Sequence, residues 1–576
     1  MPIPMKTIIS SQNFLLSLLP ICFVWLAFGA TTLPPNEVQE LQGIAKTLGK
    51  KNWDFNVDPC SWENATHAND AFGVEDKVTC NCKVPNDNFC HVEKIILKSQ
   101  SLQGSLPPQL IRLPYLQEIE LSRNYLSGTI PKEWGSSNLT EISLLGNRLT
   151  GSIPKELGNL TNLTRLILAF NQFSGNLPPE LGNLALIEML HLNSNNFTGQ
   201  LPATLERLTT LKEFRISDNQ FSGNIPDFIQ SWKSLDQLFM QGSGLSGPIP
   251  SGISLLNLTD LRISDLNGAD SKFPQLDNMK ELKQLILRSC NINDTFPQYL
   301  EDLSKLQTLD LSYNKLYGQV PRNLQDVVRA TYIYLTGNFF TGQVPDWTND
   351  NHSNLDLSYN NFSVENPERP ICYEQNTIIG GISYDEDTDP AGPAVYRESK
   401  NNWAFSNTGY FMDNDTIPKP LLPPYTTENE TRLYMTDTEL YKNARISPMS
   451  LTYYGFCMEN GDYTVKLYFA EIMFTDDNTY SSLGRRLFDV FIQGKRVLKD
   501  FNIANEAQGV GKELTRQFPA HVSSNDLEIR FYWAGKGTTY IPYKSVNGPL
   551  ISAISVEYGG LSSKFYFFNC HLYGII

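Results

Sequence analysis

Side chains able to do covalent or metal chemistry are present in this 576-residue chain, but their spacing fits little of it. Four cysteines crowd at Cys60, Cys80, Cys82 and Cys90. A structural zinc site would need a second close Cys pair or well-spaced imidazoles, and His67 and His91 do not supply them. In an oxidising compartment the four read instead as two disulfides. The six histidines form no H-E-x-x-H, and no G-x-S-x-G elbow occurs. Gly509-Val510-Gly511-Lys512 and Gly535-Lys536-Gly537-Thr538 are glycine-lysine fragments, but neither has the G-x-x-x-x-G-K-S/T spacing that cradles phosphate. Asp and Glu number 61, so paired carboxylates for glycoside hydrolysis stay open to a chain read in one dimension. The expectation is no catalytic residues, no metal and no cofactor.

The residues with recognition chemistry sit in a repeat. A phrase L-x-x-L-x-x-L-x-L-x-x-N-x-L-x-G-x-I-P recurs through most of the first 360 residues, clearest at Leu160, Leu163, Leu166, Leu168, Asn171, Phe173, Gly175, Leu177 and Pro178. Its Asn-type position falls at Gln100, Asn124, Asn147, Asn171, Asn195, Asn219, Ser243, Leu266, Cys290, Asn314, Asn338 and Asn360, a spacing of 22 to 24 residues and about twelve repeats. A period this regular means stacked units that each contact only their neighbours. The L-x-L core reads as a short strand, so the residue between the two leucines faces outward. That column includes Ile167, His191, Arg215, Phe239, Arg262, Ile286, Asp310 and Tyr334, with Glu120 and Ser143 before them and Asp356 after. Apolar groups among charges are the composition of a peptide or protein contact surface; simple solvation is the bland alternative. The Asn at each turn bonds neighbouring backbone, and Cys290 at such a position reads as a buried free thiol. The repeat from Leu258 to Asn267 lacks both the Asn and the Gly-x-Ile-Pro ending, which marks either a kink near a functional zone or drift.

These elements need an address. Lys6 precedes an apolar run from Phe14 to Ala27, and small residues follow at Gly29 and Ala30. The run is too short for the ~20 residues of a membrane span and reads as a secretory signal peptide. Eleven N-x-S/T sequons, at Asn64, Asn138, Asn159, Asn162, Asn196, Asn257, Asn293, Asn351, Asn361, Asn414 and Asn429, suit a glycosylated extracellular protein. A net charge of −15 and the lack of any Lys/Arg block argue against a nucleic-acid surface.

After Phe362 the repeat stops. Short runs rich in Val, Tyr and Phe, such as Val465–Glu471, Leu487–Ile492 and Leu527–Trp533, alternate with turns at Asn460-Gly461 and Gln493-Gly494 and predict a β-sandwich.

The L-x-G-x-I-P ending resembles the leucine-rich repeat (LRR) of plant receptor-like kinases and cell-wall inhibitor proteins. Asn52-Trp53-Asp54 through Asp58-Pro59-Cys60-Ser61-Trp62 is similar to that family's disulfide-bonded N-terminal cap. In the second half Tyr384-Asp385-Glu386-Asp387, Asn402-Trp403-Ala404-Phe405-Ser406, Ala444-Arg445-Ile446-Ser447-Pro448, Tyr453-Tyr454-Gly455, Phe469-Ala470-Glu471-Ile472 and Tyr532-Trp533-Ala534-Gly535-Lys536-Gly537 resemble the malectin-type domain. The order of the two resembles one plant subfamily of LRR receptor-like serine/threonine kinases. The resemblance implies an α/β LRR solenoid with a curved parallel β-sheet, followed by an all-β malectin-like β-sandwich. The expected organisation is a signal peptide at 1–30, a cap at 31–91, a solenoid at 92–362, a shortened linker at 363–371, a malectin-like domain at 372–557 and an atypical tail at 558–576.

By the same resemblance the malectin domain implies a carbohydrate ligand, for which Tyr384, Asp387, Tyr434, Tyr453, Tyr454 and Asp489 are candidates, with core packing as the competing role of each aromatic. Cys372, where Tyr373-Glu374 replace the family's glycines, is the expected partner of Cys457. No kinase signature follows Val556, so the expectation is the recognition region of such a receptor as a soluble or truncated form, secreted as written and at the plasma membrane in a full-length form. Its expected partners are a peptide or protein, a co-receptor kinase and a cell-wall glycan. An inhibitor of cell-wall hydrolases and, last, a glycan-processing enzyme are the alternatives.

Overall fold

The computed structural model describes residues 32–62, 73–321, 330–345, 354–363, 385–387, 391–399, 402–411, 425–429, 432–435, 438–542, 546–559 and 565–569. The signal segment, the connector at 364–384 with Cys372 and Tyr384, and the sequons at Asn64, Asn351 and Asn414 lie outside the described residues.

The chain enters through the helix Pro35–Leu48, which starts on a proline at its first position and stops at Gly49 in the left-handed region (φ 77°). Its buried face, Leu41, Ile44 and Leu48, closes the first repeat's core, which would otherwise be exposed. Two disulfides, Cys60–Cys80 and Cys82–Cys90, staple this cap. The strand Glu75–Asn81 pairs antiparallel with His91–Lys98, and from there every strand runs parallel, one per repeat, to Asn354–Asp356. The expected twelve parallel strands are present in a thirteen-stranded sheet. A shorter parallel ladder, from Ser127–Gly128 to Gln220–Phe221, runs along the same repeats, and a single 3₁₀ turn such as Pro179–Asn183 follows the Pro of most repeats.

The leucines fill a continuous core along the solenoid. The Asn column closes the backbone accounts beside it. The Asn171 amide donates to Leu144 O (2.9 Å) and Leu168 O (3.1 Å), while its Oδ1 accepts from Leu149 N (3.1 Å). The same pattern repeats at Asn124, Asn147, Asn195, Asn219, Asn314 and Asn338, so buried peptide groups at each turn find partners. Just before each of these ladder positions, Asn or its replacement, the chain takes a left-handed residue, among them Arg123, Phe170, Ser194, Asp218, Asp265, Ser289, Tyr313 and Tyr359, with φ between 52° and 57°.

The second unit packs a five-stranded sheet, including Gly461–Phe469, Leu514–Val522 and Ala553–Tyr558, on a six-stranded one, including Trp403–Thr408, Ser450–Gly455 and Leu527–Tyr532. Phe405, Leu451, Val465, Leu467, Phe469 and Phe531 lie between them. This is the expected β-sandwich, reached through alternation of inward apolar residues along each strand. The tail, atypical in sequence, supplies the strand Phe565–Asn569, paired antiparallel with Ala553–Tyr558 and parallel with Asp385–Glu386. Backbone pairing needs only an extended segment beside an open edge, so a sequence unlike the domain still joins its sheet.

Candidate functional site

The left-handed residue before each Asn forms a ridge along one border of the large sheet, and the β-sandwich is seated on that ridge. From one end to the other the contacts are of every kind. Arg123 lies over the Tyr480 ring (5.7 Å), and Ala169 and Phe170 form a small apolar cluster with Tyr480 and Ile541. Ser194 Oγ donates to Gly537 O (3.3 Å), and Arg485 Nη2 donates to Asp218 Oδ2 (2.5 Å). Tyr532 donates its hydroxyl to Asp265 Oδ1 (3.0 Å) and packs edge-on against Tyr313 (4.9 Å), and the Tyr359 and Tyr454 hydroxyls bond at 2.6 Å. A left-handed non-glycine residue costs of order 1 kcal/mol or more and persists only where its surroundings fix it.

At Gly242 the ridge drops to bare backbone. A Cβ there would lie 2.6 Å from Ala534 O, and one on Gly535 would lie 2.8 Å from Gly242 N. Two glycines, one from each domain, therefore allow the main chains to touch. The Gly535-Lys536-Gly537 fragment is thus a docking loop. Lys536 points away and binds both oxygens of Asp500 (2.8 Å each).

Beside this contact lies a small open cavity between the domains, with about 70 Å³ of space that water can reach. The solenoid contributes Arg215, Phe239, Gln241, Arg262, Arg288 and Tyr334, and the sandwich contributes Tyr410, Met449, Trp533 and Tyr540. Phe239 is held between two guanidinium groups, Arg215 at 4.5 Å and Arg262 at 4.4 Å from the ring centre. Arg262 grips Asp260 with two hydrogen bonds (2.8 and 2.7 Å), and Arg215 Nη2 bonds Glu213 (3.0 Å) and Gln237 (2.8 Å). Arg288, 1% exposed, stands 3.8 Å from both Asp265 and Asp310. Burial lifts both carboxyls above the usual carboxylate range, because the one guanidinium they share offsets only part of the desolvation. Burial also pushes the Cys290 thiol well up, which agrees with its being a buried free cysteine.

The residues expected as an open ligand face divide into two groups. Arg215 stays half-buried, with Glu118, Glu141, Ser143 and Arg165 on the strands before it also half-exposed; Ile167, His191, Phe239 and Arg262, expected to face outward, are buried at 7 to 8% exposure by the neighbouring side chains. Ile286, Asp310 and Tyr334 are instead fully buried, a correction with a plain cause. Here the sandwich covers the sheet. Tyr410 stacks on Tyr332 (3.8 Å) and its hydroxyl reaches Thr308 (2.9 Å) and Gln284 (3.2 Å), Met449 touches Ser312, and Thr408 donates to Asp356.

The expected sugar contacts also move. Asp387 is buried, bound by Arg445 Nε (2.6 Å) and by the Tyr453 hydroxyl (2.7 Å), so Asp387 and Tyr453 form a core ion-pair network. Asp489 is buried under Arg496 and the Asp500 backbone amide (2.7 Å). Tyr454 is part of the domain contact, and Tyr434, 55% exposed beneath Arg432 (5.5 Å), is the described candidate that faces solvent. Cys457 is disulfide-bonded, to a residue outside the described ones. Of the sequons, Asn138, Asn159, Asn162, Asn257, Asn293 and Asn361 are exposed, and Asn196 and Asn429 are half-buried. No group of three or more metal-binding side chains occurs among the described residues, and no helix there is long and apolar enough to cross a membrane.

Sequence reasoning missed Gln241, Arg288, Tyr410 and the whole ridge. Its signal was in the sequence: the position directly before the ladder Asn carries Arg123, Phe170, Asp218, Tyr313 and Tyr359, an unusual set for a bare turn.

A malectin-domain family model matches residues 371–554, and leucine-rich-repeat models match 280–340 and four single repeats between 115 and 232. The chain is 50% identical over 578 residues to an Arabidopsis thaliana protein named "Probable leucine-rich repeat receptor-like serine/threonine-protein kinase", covering 92% of this chain and 56% of that one. A second Arabidopsis thaliana protein of the same kind is 49% identical over 579 residues, with coverage of 90% and 56%. The chain therefore spans about half the length of the curated relatives it matches. Among solved structures, the Arabidopsis receptor kinase HAESA in complex with the peptide hormone IDA and the co-receptor SERK1 aligns with 27% identity over 57% of this chain and 58% of that one, at a TM-score of 0.49.

Proposed function

This chain is a leucine-rich-repeat and malectin-domain protein homologous to plant LRR receptor-like serine/threonine kinases, and from that premise we propose that it is the extracellular ligand-recognition region of such a receptor. Its work is capture. The observation that carries the reading is that the malectin domain lies against the sheet face of the solenoid and covers only its C-terminal strands. The N-terminal strands keep their outward side chains, Glu118, Glu141, Ser143, Arg165 and Arg215, at least partly open. A peptide or protein partner has that mixed-charge surface to bind, bordered by the malectin domain as a wall. A co-receptor kinase is the class of partner that would pass such binding onward, and a glycan is the class the malectin domain would take.

The test is a binding comparison. Wild-type protein and the Arg165→Glu/Arg215→Glu double variant are immobilised and exposed to a library of synthetic secreted plant peptides. The reading expects one or more peptides to bind the wild type and to lose most of that binding in the double variant. Equal binding by both proteins, or none by either, would sink the role given to the open face.

A further inference from the structure

We propose that His91 is the pin of an acid-closed clasp in the N-terminal cap, which ties the capping helix to the disulfide-bonded segment 82–90 and releases that segment when the imidazole loses its proton. The device sits at the end of the solenoid and does not depend on what the open face binds.

The geometry is that of a charged histidine held from two sides. His91, 7% exposed, opens the strand His91–Lys98 directly after Cys90. Its Nδ1 lies 2.6 Å from Glu37 Oε1 on the helix Pro35–Leu48, and its Nε2 lies 2.9 Å from Asp87 Oδ2 in the segment closed by Cys82–Cys90. A carboxylate brings no proton to a hydrogen bond, so both ring nitrogens donate, and only imidazolium can do that. Glu37, itself buried, also accepts from Val92 N through its other oxygen (3.0 Å). Tyr115, from the turn before the strand Glu118–Glu120, stacks on the ring at 4.2 Å. The titratable groups facing the imidazole are thus Glu37 from the helix, Asp87 from the loop and Tyr115 from the next repeat, and the two charged ones are carboxylates. Burial opposes the charge on His91, but these carboxylates outweigh it and hold the ring above the usual histidine range. The bond to His91 in turn holds Asp87 below the usual carboxylate range.

Loss of the proton leaves one N–H for two acceptors. The bare nitrogen then meets a carboxylate oxygen, lone pair against lone pair, and one contact opens. Glu37 is buried and tied to Val92, whereas the Asp87 side chain is 31% exposed on a surface turn, so the Asp87 side yields. That turn already holds Asn86 in the left-handed region (φ 62°), a shape that persists only where its surroundings fix it. Cys90 N, which donates to Thr32 O (2.9 Å), carries the release toward the start of the helix. A base whose folded pKa is raised contributes fully below its unfolded value, about 6.5, and loses that contribution as pH rises through the folded value. An acid whose folded pKa is lowered contributes above its unfolded value, about 3.9, and loses that as pH falls. The clasp is therefore closed between roughly pH 4 and 6.5 and opens as pH climbs beyond that window.

Amide hydrogen exchange of the whole chain, read by mass spectrometry at pH 5.5 and pH 8 and corrected for intrinsic rates, tests this. Val84–Cys90 is expected to exchange severalfold faster at pH 8, while Gln172–Asn176, a strand with no ionisable side chain, holds level. Asp87→Asn places an amide opposite Nε2, which can accept from the charged ring or donate to the neutral one. That variant is expected to lose the pH difference at Val84–Cys90, and the exposed position lets it fold. Equal protection of Val84–Cys90 at both pH values in the wild type would overturn the clasp, as would a pH difference that survives Asp87→Asn. An equal change at Gln172–Asn176 would show loosening of the whole solenoid and overturn the local device as well.

Discussion

The repeats from Asn124 to Asn219 and the repeats carrying Ser243, Leu266 and Cys290 solve one problem in two ways. In the first stretch each strand is three residues long, as at Glu213–Arg215, and the ladder Asn closes the turn by bonding three backbone groups. In the second the Asn is missing, and the strands Gln237–Gln241, Asp260–Ser264 and Gln284–Arg288 lengthen to five residues. The added pairs, such as Gln241 with Ser264 and Ser264 with Arg288, satisfy backbone that Asn would otherwise serve. Cys290 keeps a vestige of the pattern, its thiol 3.5 Å from Ile263 O and 3.4 Å from Arg288 O. The longer strands also carry Gln241 and Arg288 up to the domain boundary. Loss of the Asn is thus tied to gain of the cleft.

The largest effect expected from breaking this comparison is at Arg288. Arg288→Met leaves Asp265 and Asp310 buried with no cation, a change that costs about 3–5 kcal/mol when one member of a buried charge cluster is removed. Chemical denaturation is expected to show that loss, with faster amide exchange across Tyr532–Gly537. A loss below 1 kcal/mol would show that the cluster does not hold the domains together.

Next is the regular stretch. Asn171→Ala strands Leu149 N and the carbonyls of Leu144 and Leu168 in the core, at about 2–3 kcal/mol. The matched change Cys290→Ala removes only weak sulfur contacts and a small volume, and is expected to cost roughly half as much. Equal losses in denaturation would mean the thiol serves its turn as well as Asn serves the others.

A smaller contrast pits two left-handed glycines against each other. Gly175 (φ 80°) has open space, its added Cβ 3.7 Å from Ser152, so Gly175→Ala pays backbone strain alone, about 1 kcal/mol. Gly242→Ala adds a clash with Ala534 and Gly535. It is expected to cost roughly 1 kcal/mol more and to loosen exchange at Trp533–Gly537, where Gly175→Ala leaves exchange unchanged.

This difference also explains what was legible in the sequence. The leucine period, the Asn column and the alternating strands of the sandwich are local patterns repeated many times, and they dictate the solenoid and the β-sandwich. The outward column between the leucines was visible too, since strand alternation places it. Its fate was not. Whether Phe239 faces solvent or Tyr334 faces Tyr410 depends on how two domains dock, and docking uses contacts between residues hundreds of positions apart, such as Asp218 with Arg485. Asp387 and Tyr453 misled for a related reason. A carboxylate and a tyrosine that grip a sugar look the same in sequence as a pair that grips Arg445. The irregular repeat at Leu258–Asn267 was a second local hint: it carries Arg262 to the cavity and Asp265 to the contact with Tyr532.

The two stretches are also expected to answer acid in opposite directions. In the regular stretch burial, the largest influence, holds His191 below the usual histidine range despite its bond to Glu213 (2.9 Å), with Arg215 and Arg165 also opposing its charge. A base whose folded pKa is depressed favours folding fully above its unfolded value, about 6.5, and that contribution falls as pH drops below it. At the cleft, Asp265 and Asp310 are raised by burial against Arg288, with Tyr532 and Ser264 bonded to the first and Ser312 to the second. An acid whose folded pKa is raised favours folding most below its unfolded value, about 3.9, and loses that contribution as pH climbs through the folded value. Moving from pH 7 down to pH 4 should therefore weaken protection around Met189–Asn195 and strengthen it at Tyr532–Gly537, each by no more than about tenfold per unit of pKa shift. Hydrogen exchange at the two pH values, corrected for intrinsic rates, reads both segments in one sample. If both segments move the same way, the two halves of the face share one electrostatic environment and the contrast drawn between them fails.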